Sequence, residues 1–209
     1  MKAVVFDCDG VLVDSEPLAE RSWSHALGKF GYTATPEDFE AVLGRTAVAG
    51  HAYFAGRTEI PPLTEFRTHT GEYWDAHLDE LRAFPDAVDV VRHLAADGIP
   101  LAVASSSGRA ELDMKLARFD LARYFDFVIG GDEVDHGKPA PDLFLRAAEG
   151  LGVAPSDCLA IDDAEVGADS AAAAGMRVVR LTRSGEVSAR HTTASSLDAE
   201  LIEMWLGLR

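Results

Sequence analysis

Residues 3–14 read Ala3-Val4-Val5-Phe6-Asp7-Cys8-Asp9-Gly10-Val11-Leu12-Val13-Asp14, and this stretch decides the fold. Four apolar residues, two of them β-branched, are too few for a buried helix and fit a buried strand over Ala3–Phe6. The strand runs into two acids at positions i and i+2, then a glycine suited to a turn. In an extended segment Asp7 and Asp9 point the same way, roughly 6–7 Å apart, and Cys8 points to the other side. Two carboxylates held so close repel unless a cation or a proton intervenes. A polar turn at a strand end would also account for the pattern.

Working outward, four more short apolar runs follow the same rule: Ile99–Ala104, Phe125–Ile129, Cys158–Ile161 and Val178–Leu181. Helical periodicity fills the gaps at Asp86–Ala96, Arg109–Phe119, Pro141–Leu151 and Ala164–Ala174. Pro85-Asp86 and Pro141-Asp142 suit first turns; Asp97-Gly98 and Gly175 suit stops. Strands alternating with helices predict a doubly wound α/β sheet of parallel strands, covered on both faces.

Residues 15–83 break the alternation and hold no convincing strand. Pro17–Phe30, Pro36–Leu43, Val48–Ala55 and Leu63–Leu81 read as helices, with a break at Pro61-Pro62. The expected organisation is a core of residues 1–14 and 84–209, with a small all-helical domain of residues 15–83 inserted after the first strand. The tail Thr192-Thr193-Ala194-Ser195-Ser196 reads as a loop, followed by a short amphipathic helix to Arg209.

Composition narrows the function classes. The 209 residues carry 35 acids against 19 Lys and Arg, a formal charge of −16. That balance argues against nucleic-acid and anionic-membrane binders, which need clustered basic residues. No apolar run approaches the ~20 residues of a membrane span, and the first residues lack a signal peptide's apolar region. Cys8 and Cys158 offer neither a disulfide framework nor zinc-ligand spacing. A cytoplasmic protein, monomeric by default, is the expectation.

Three further clusters follow strands. Ser105-Ser106-Ser107-Gly108 places hydroxyls and free backbone N–H groups at a helix start, fit for an anion or for plain capping. Gly137-Lys138-Pro139-Ala140-Pro141 stiffens a loop around Lys138, which alone would read as a surface lysine. Asp162-Asp163 could bind a hard cation; capping accounts for one acid but poorly for two. Each cluster lies at the carboxyl end of a different strand, the edge where open α/β sheets bind ligands. Together they make a set suited to phosphoryl transfer.

In these four places the chain resembles the haloacid dehalogenase-like superfamily, whose motifs are matched by Asp7-Cys8-Asp9-Gly10, Ser105, Lys138 and Asp162-Asp163. The resemblance, which covers nearly the whole chain, implies a Rossmann-like core in strand order 3-2-1-4-5 and a helical cap closing over the site. It implies a phosphatase or phosphomutase, because members that do not release an alcohol lack an acid at the position of Asp9. It further implies Asp7 as nucleophile, Asp9 as acid and base, and Ser105, Ser106 and Lys138 on the phosphate. Mg²⁺ would be held by Asp7, Asp9 (through its carbonyl), Asp162 and Asp163.

The substrate implied is a small soluble phosphomonoester, of sugar or sugar-acid type. Arg45 and the segment Arg67-Thr68-His69 are the candidates in the cap for contacts to the leaving group, with solvated surface as the alternative. A β-phosphoglucomutase-like activity is the runner-up. Such mutases carry a histidine where this chain has Leu18-Ala19-Glu20, and an arginine where it has Ala47. A catalytically silent binding protein on the same fold is the third reading.

Overall fold

A computed structural model describes residues 2–207. Its centre is β1 (Ala3–Phe6), fully buried. Parallel partners flank it: β4 (Leu101–Ala104) on one side and β6 (Cys158–Asp162) on the other. Beyond them lie β5 (Phe127–Ile129) and β7 (Arg177–Leu181). The order β5-β4-β1-β6-β7 is the expected 3-2-1-4-5. Strand order reverses at β1, so the loop after it opens at the switch point of the sheet.

The pleat of β1 sorts its side chains between two cores. Val4 and Phe6 join Leu101, Val103, Leu159 and Ile161 on one face. That face is covered by α5 (Pro85–Ala96), α6 (Arg109–Arg118) and α9 (Ala199–Leu206). Ala3 and Val5 join the smaller Ala102, Ala104 and Ala160 on the other face. There α7 (Asp142–Leu151) and α8 (Glu165–Ala173) pack close, with Leu143, Phe144 and Ala171 buried. Both cysteines are buried thiols.

The tail departs from its expected loop. Thr192–Ala194 forms β8, a sixth strand parallel to β7, pairing Val179 with Thr192 and Leu181 with Ala194. Two adjacent β-branched threonines suit an edge strand whose outer side stays polar. The closing helix, expected to reach Arg209, spans Ala199–Leu206, and residues 208–209 lie outside the described part.

The insertion holds α1 (Glu16–Gly28), α2 (Pro36–Val42), α3 (Ala47–Ala55) and α4 (Leu63–Ala76). Ala26, Leu27, Phe54 and Phe66 gather there in an apolar cluster of their own. Buried Asp38 ties the cluster's edge, accepting hydrogen bonds from Tyr32 and Tyr53, each at 2.9 Å. The expected helix Leu63–Leu81 stops at Ala76, and a short 3-10 turn follows at Leu78–Glu80. The chain then leaves the insertion through β3 (Arg82–Ala83), antiparallel to β2 (Val13–Asp14). This two-stranded ribbon gathers the two connections that the sequence reading treats as plain segments. Among the described residues no helix is long and apolar enough to cross a membrane.

Candidate active site

Asp7 follows β1, where its backbone N–H still donates to Ile161 O at 2.8 Å, so the sheet itself holds it. Lys138, from the loop before α7, reaches in to bridge Asp7 Oδ1 at 2.8 Å and Asp162 Oδ2 at 2.7 Å. All three side chains are buried. Asp162 ends β6, and its Oδ1 accepts from the Ala164 N–H at 3.1 Å. Asp163 stands over Gly10. A Cβ at position 10 would lie 2.0 Å from Asp163 Oδ2, and Gly10 has φ +73°, so only glycine fits.

Acids outnumber cations here. Oxygens of Asp7, Asp162 and Asp163 come within 4.8 Å of one another around the single ammonium of Lys138. Burial, with Asp162 and Asp9 nearby, pushes the Asp7 carboxyl up to about 7 against the pull of Lys138. Burial and the charges of Asp162 and Asp7 push Asp163 well above the carboxylate range. Burial alone would lower Lys138, yet Asp162 and Asp7 hold it above an ordinary lysine. A hard divalent cation relieves such a surplus, and the all-oxygen donor set fits Mg²⁺.

Asp9 stands apart from that group. Its Oδ1 accepts from Ser15 and, at 2.5 Å, from Lys115; its Oδ2 accepts from Ser107 at 2.8 Å and Ser105 at 3.4 Å. Burial would raise its carboxyl, but Lys115 and these hydrogen bonds hold it below the usual range. Ser105 is fully buried and accepts from the Ser107 N–H at 3.1 Å. Ser106 donates instead to Gly44 O at 2.8 Å, so its hydroxyl is engaged by the loop between α2 and α3.

Asp7, Asp9 and Asp163 open onto a cavity of about 200 Å³ between the sheet edge and the insertion. Arg45 and Arg67 line it with Trp23 and Phe39. His69 does not reach it: its Nδ1 lies 3.3 Å from Lys29 Nζ and its ring meets Phe30. Two residues after Arg67 on α4, it is turned about 200° around the helix.

Lys115 is the residue that sequence reading missed. A lysine inside a charged helix reads as solvated, but it shares the buried stripe of Leu112 and Leu116. That helical spacing was the available signal.

A family model described as haloacid dehalogenase-like hydrolase matches residues 1–175. The chain belongs to this family. The hydrolase is 30% identical over 205 residues to the bifunctional riboflavin kinase/FMN phosphatase of Arabidopsis thaliana. That match takes in 97% of this chain and 54% of the relative, so the chain spans about half of it. It is 34% identical over 178 residues to the fructose-1-phosphate phosphatase YqaB of Escherichia coli, covering 84% of this chain and 94% of that one. Its fold is also that of a β-phosphoglucomutase from Clostridium difficile, with TM-score 0.88 at 22% identity over 100% of this chain and 98% of the other.

Proposed function

We propose that the hydrolase releases phosphate from a small soluble phosphomonoester, of sugar or sugar-acid type, through an aspartyl phosphate on Asp7. The observation that carries the reading is that Asp7, held by the buried Lys138 bridge to Asp162, lines one cavity together with Asp9. An Asp7 oxygen bonds to phosphorus as the ester P–O bond breaks, and Asp9 gives its proton to the departing alkoxide. Water then attacks phosphorus, Asp9 takes the water's proton, and the Asp7–phosphorus bond breaks. The resting contacts favour the carboxylate form of Asp9, the form that receives water's proton. The approach of a phosphate's negative charge favours its protonated form for the first step.

Lys138 and the hydroxyl of Ser105 hold the phosphate, with Ser106 closing the loop above it. Mg²⁺, carried by Asp7, Asp162, Asp163 and the Asp9 carbonyl, would neutralise charge on nucleophile and phosphate. Residues 15–83 act as a cap that shapes the leaving-group side. Arg45 and Arg67 line that side, and among the described residues neither pairs with a carboxylate. In a chain of charge −16, free guanidinium groups suit a substrate with a second anionic group, such as a sugar acid.

The test is phosphate release from sugar phosphates, sugar-acid phosphates and nucleotides, with Mg²⁺ and with a chelator. Mg²⁺-dependent release, fastest on an acid-bearing ester, is expected. Arg45→Ala should raise KM for that ester about 10-fold, the worth of one charged hydrogen bond. His69→Ala should leave KM unchanged. No release from any ester would favour a silent binding protein, and isomerisation of glucose phosphates without release would favour the mutase.

A further inference from the structure

Two buried lysines serve this site, and they divide it. Lys138 belongs to Asp7 and Asp162. Lys115 belongs to Asp9, at 2.5 Å, and to Glu111, at 2.6 Å. Its third hydrogen reaches Ser107 Oγ at 3.2 Å, and the ring of Trp74, from α4, covers it at 5.2 Å. All three donors of the ammonium are thus used, and the side chain is 2% exposed.

Stability gives little reason for a lysine here. Position 115 lies in the buried stripe between Leu112 and Leu116. A methionine would pack there without taking a charge out of water, and replacing buried ion pairs by apolar residues is often neutral or stabilising. What the lysine adds is direction. It is the only cation on Asp9 among the described residues, and it shares Ser107 with it. Ser107 itself accepts and donates between the two, so the carboxyl is fixed from α6 and from the 105–107 loop together.

We propose that Lys115 is a positioning residue: its ion pair with Asp9, reinforced by Ser107, fixes the Asp9 carboxyl in the cavity wall for proton transfer to and from the reacting oxygens. The role rests on the acid–base reading of Asp9 above. Without the ammonium the carboxyl can turn away, and proton transfer suffers most where the leaving group most needs a proton.

The experiment compares wild type with Lys115→Met, Lys115→Gln and Lys115→Arg at saturating Mg²⁺, on an alkyl phosphate and on p-nitrophenyl phosphate. For Lys115→Met the expected loss in kcat on the alkyl ester is about 10- to 100-fold. The loss on the aryl ester should be several times smaller, with KM within about twofold on both. Lys115→Arg, which keeps the charge, should retain more alkyl-ester turnover than Lys115→Gln. Equal losses on the two esters, or no loss on either, would overturn the role. So would Lys115→Arg faring no better than Lys115→Gln, a comparison that decides the matter if the methionine variant fails to fold. A wild type that cleaves neither ester would overturn the proposed function and the role with it; an active wild type with equal losses overturns the role alone.

Discussion

Asp7 concentrates the site's charge imbalance in one side chain. Its carboxyl is pushed from 3.8 to about 7, first by burial and then by Asp162 and Asp9, while Lys138 opposes. The folded value lies above the unfolded one. The stability it contributes is therefore full below about pH 4 and lost as pH rises through about 7. Asp7→Asn removes that loss and also removes the proposed nucleophile. We expect no turnover above background on any ester. In a chelator, we expect a melting temperature that gains on wild type between about pH 5 and pH 8. The gain should be several degrees, at about 2–4 °C per kcal/mol for a chain of this size. Mg²⁺ should narrow the gap, since a bound cation lets wild type keep its charge. Melting curves with and without Mg²⁺, beside phosphate release, check both halves. Turnover near wild type in a deamidation-free sample would remove Asp7 from its role. The four acids and Ser105 were legible because they follow strand-like runs, whose ends the sheet delivers to one edge, and Lys138 because glycine and prolines mark its loop. Lys115 was not, since a helix interior hides which face a lysine takes until Leu112 and Leu116 are known to be buried.

Among the elements, the loop joining α2 to α3 lines the cavity through Leu43, Gly44, Arg45 and Thr46. Gly44 has φ +70°, and a Cβ there would lie 2.6 Å from Ala164 Cβ and 2.9 Å from Val166 Cγ1. Its carbonyl receives Ser106 Oγ. The loop thus rests on the chain that carries Asp162 and Asp163 and on the one that carries Ser105. Gly44→Val would push it off both. We expect kcat/KM on the best sugar ester to fall about 10- to 100-fold from misplaced cavity walls. The melting temperature should fall by only a few degrees, and acetyl phosphate, whose acetate leaving group is too small to need the cavity wall, should lose far less. Unchanged kinetics on the sugar ester in a folded variant would show that the loop's contact is incidental. The sequence showed the insertion's helices but not this docking, which depends on two small side chains met across a gap of more than 100 positions. Local pattern likewise passed over β2, β3 and β8, because these two- and three-residue strands, unlike β5, carry no apolar run and are defined by their partners.

At the scale of the molecule, global and local charge oppose each other. The chain carries −16, and a field of that sign repels a phosphate ester at distances beyond the cavity. Inside, Arg45 and Arg67 line the cavity, and under the proposed function Lys138 with the cation would meet the phosphate. Added inert salt screens both, but unequally. At 0.15 M ionic strength the screening length is about 8 Å, short against the molecule's width and long against a contact between a guanidinium and its anion. Salt should therefore weaken the distant repulsion more than the close attraction. The expected outcome is a kcat/KM that rises about two- to fivefold between about 10 mM and 150 mM inert salt at saturating Mg²⁺, with kcat unchanged, since the chemical step is buried. Initial rates on a dianionic ester across that range, beside a neutral competitive ligand whose affinity should not move, separate the two fields. A kcat/KM that falls with salt would mean that the arginines govern capture from solution. Arg45→Ala and Arg67→Ala would then have to flatten the slope, and the acidic surface would have no part in the approach of the substrate.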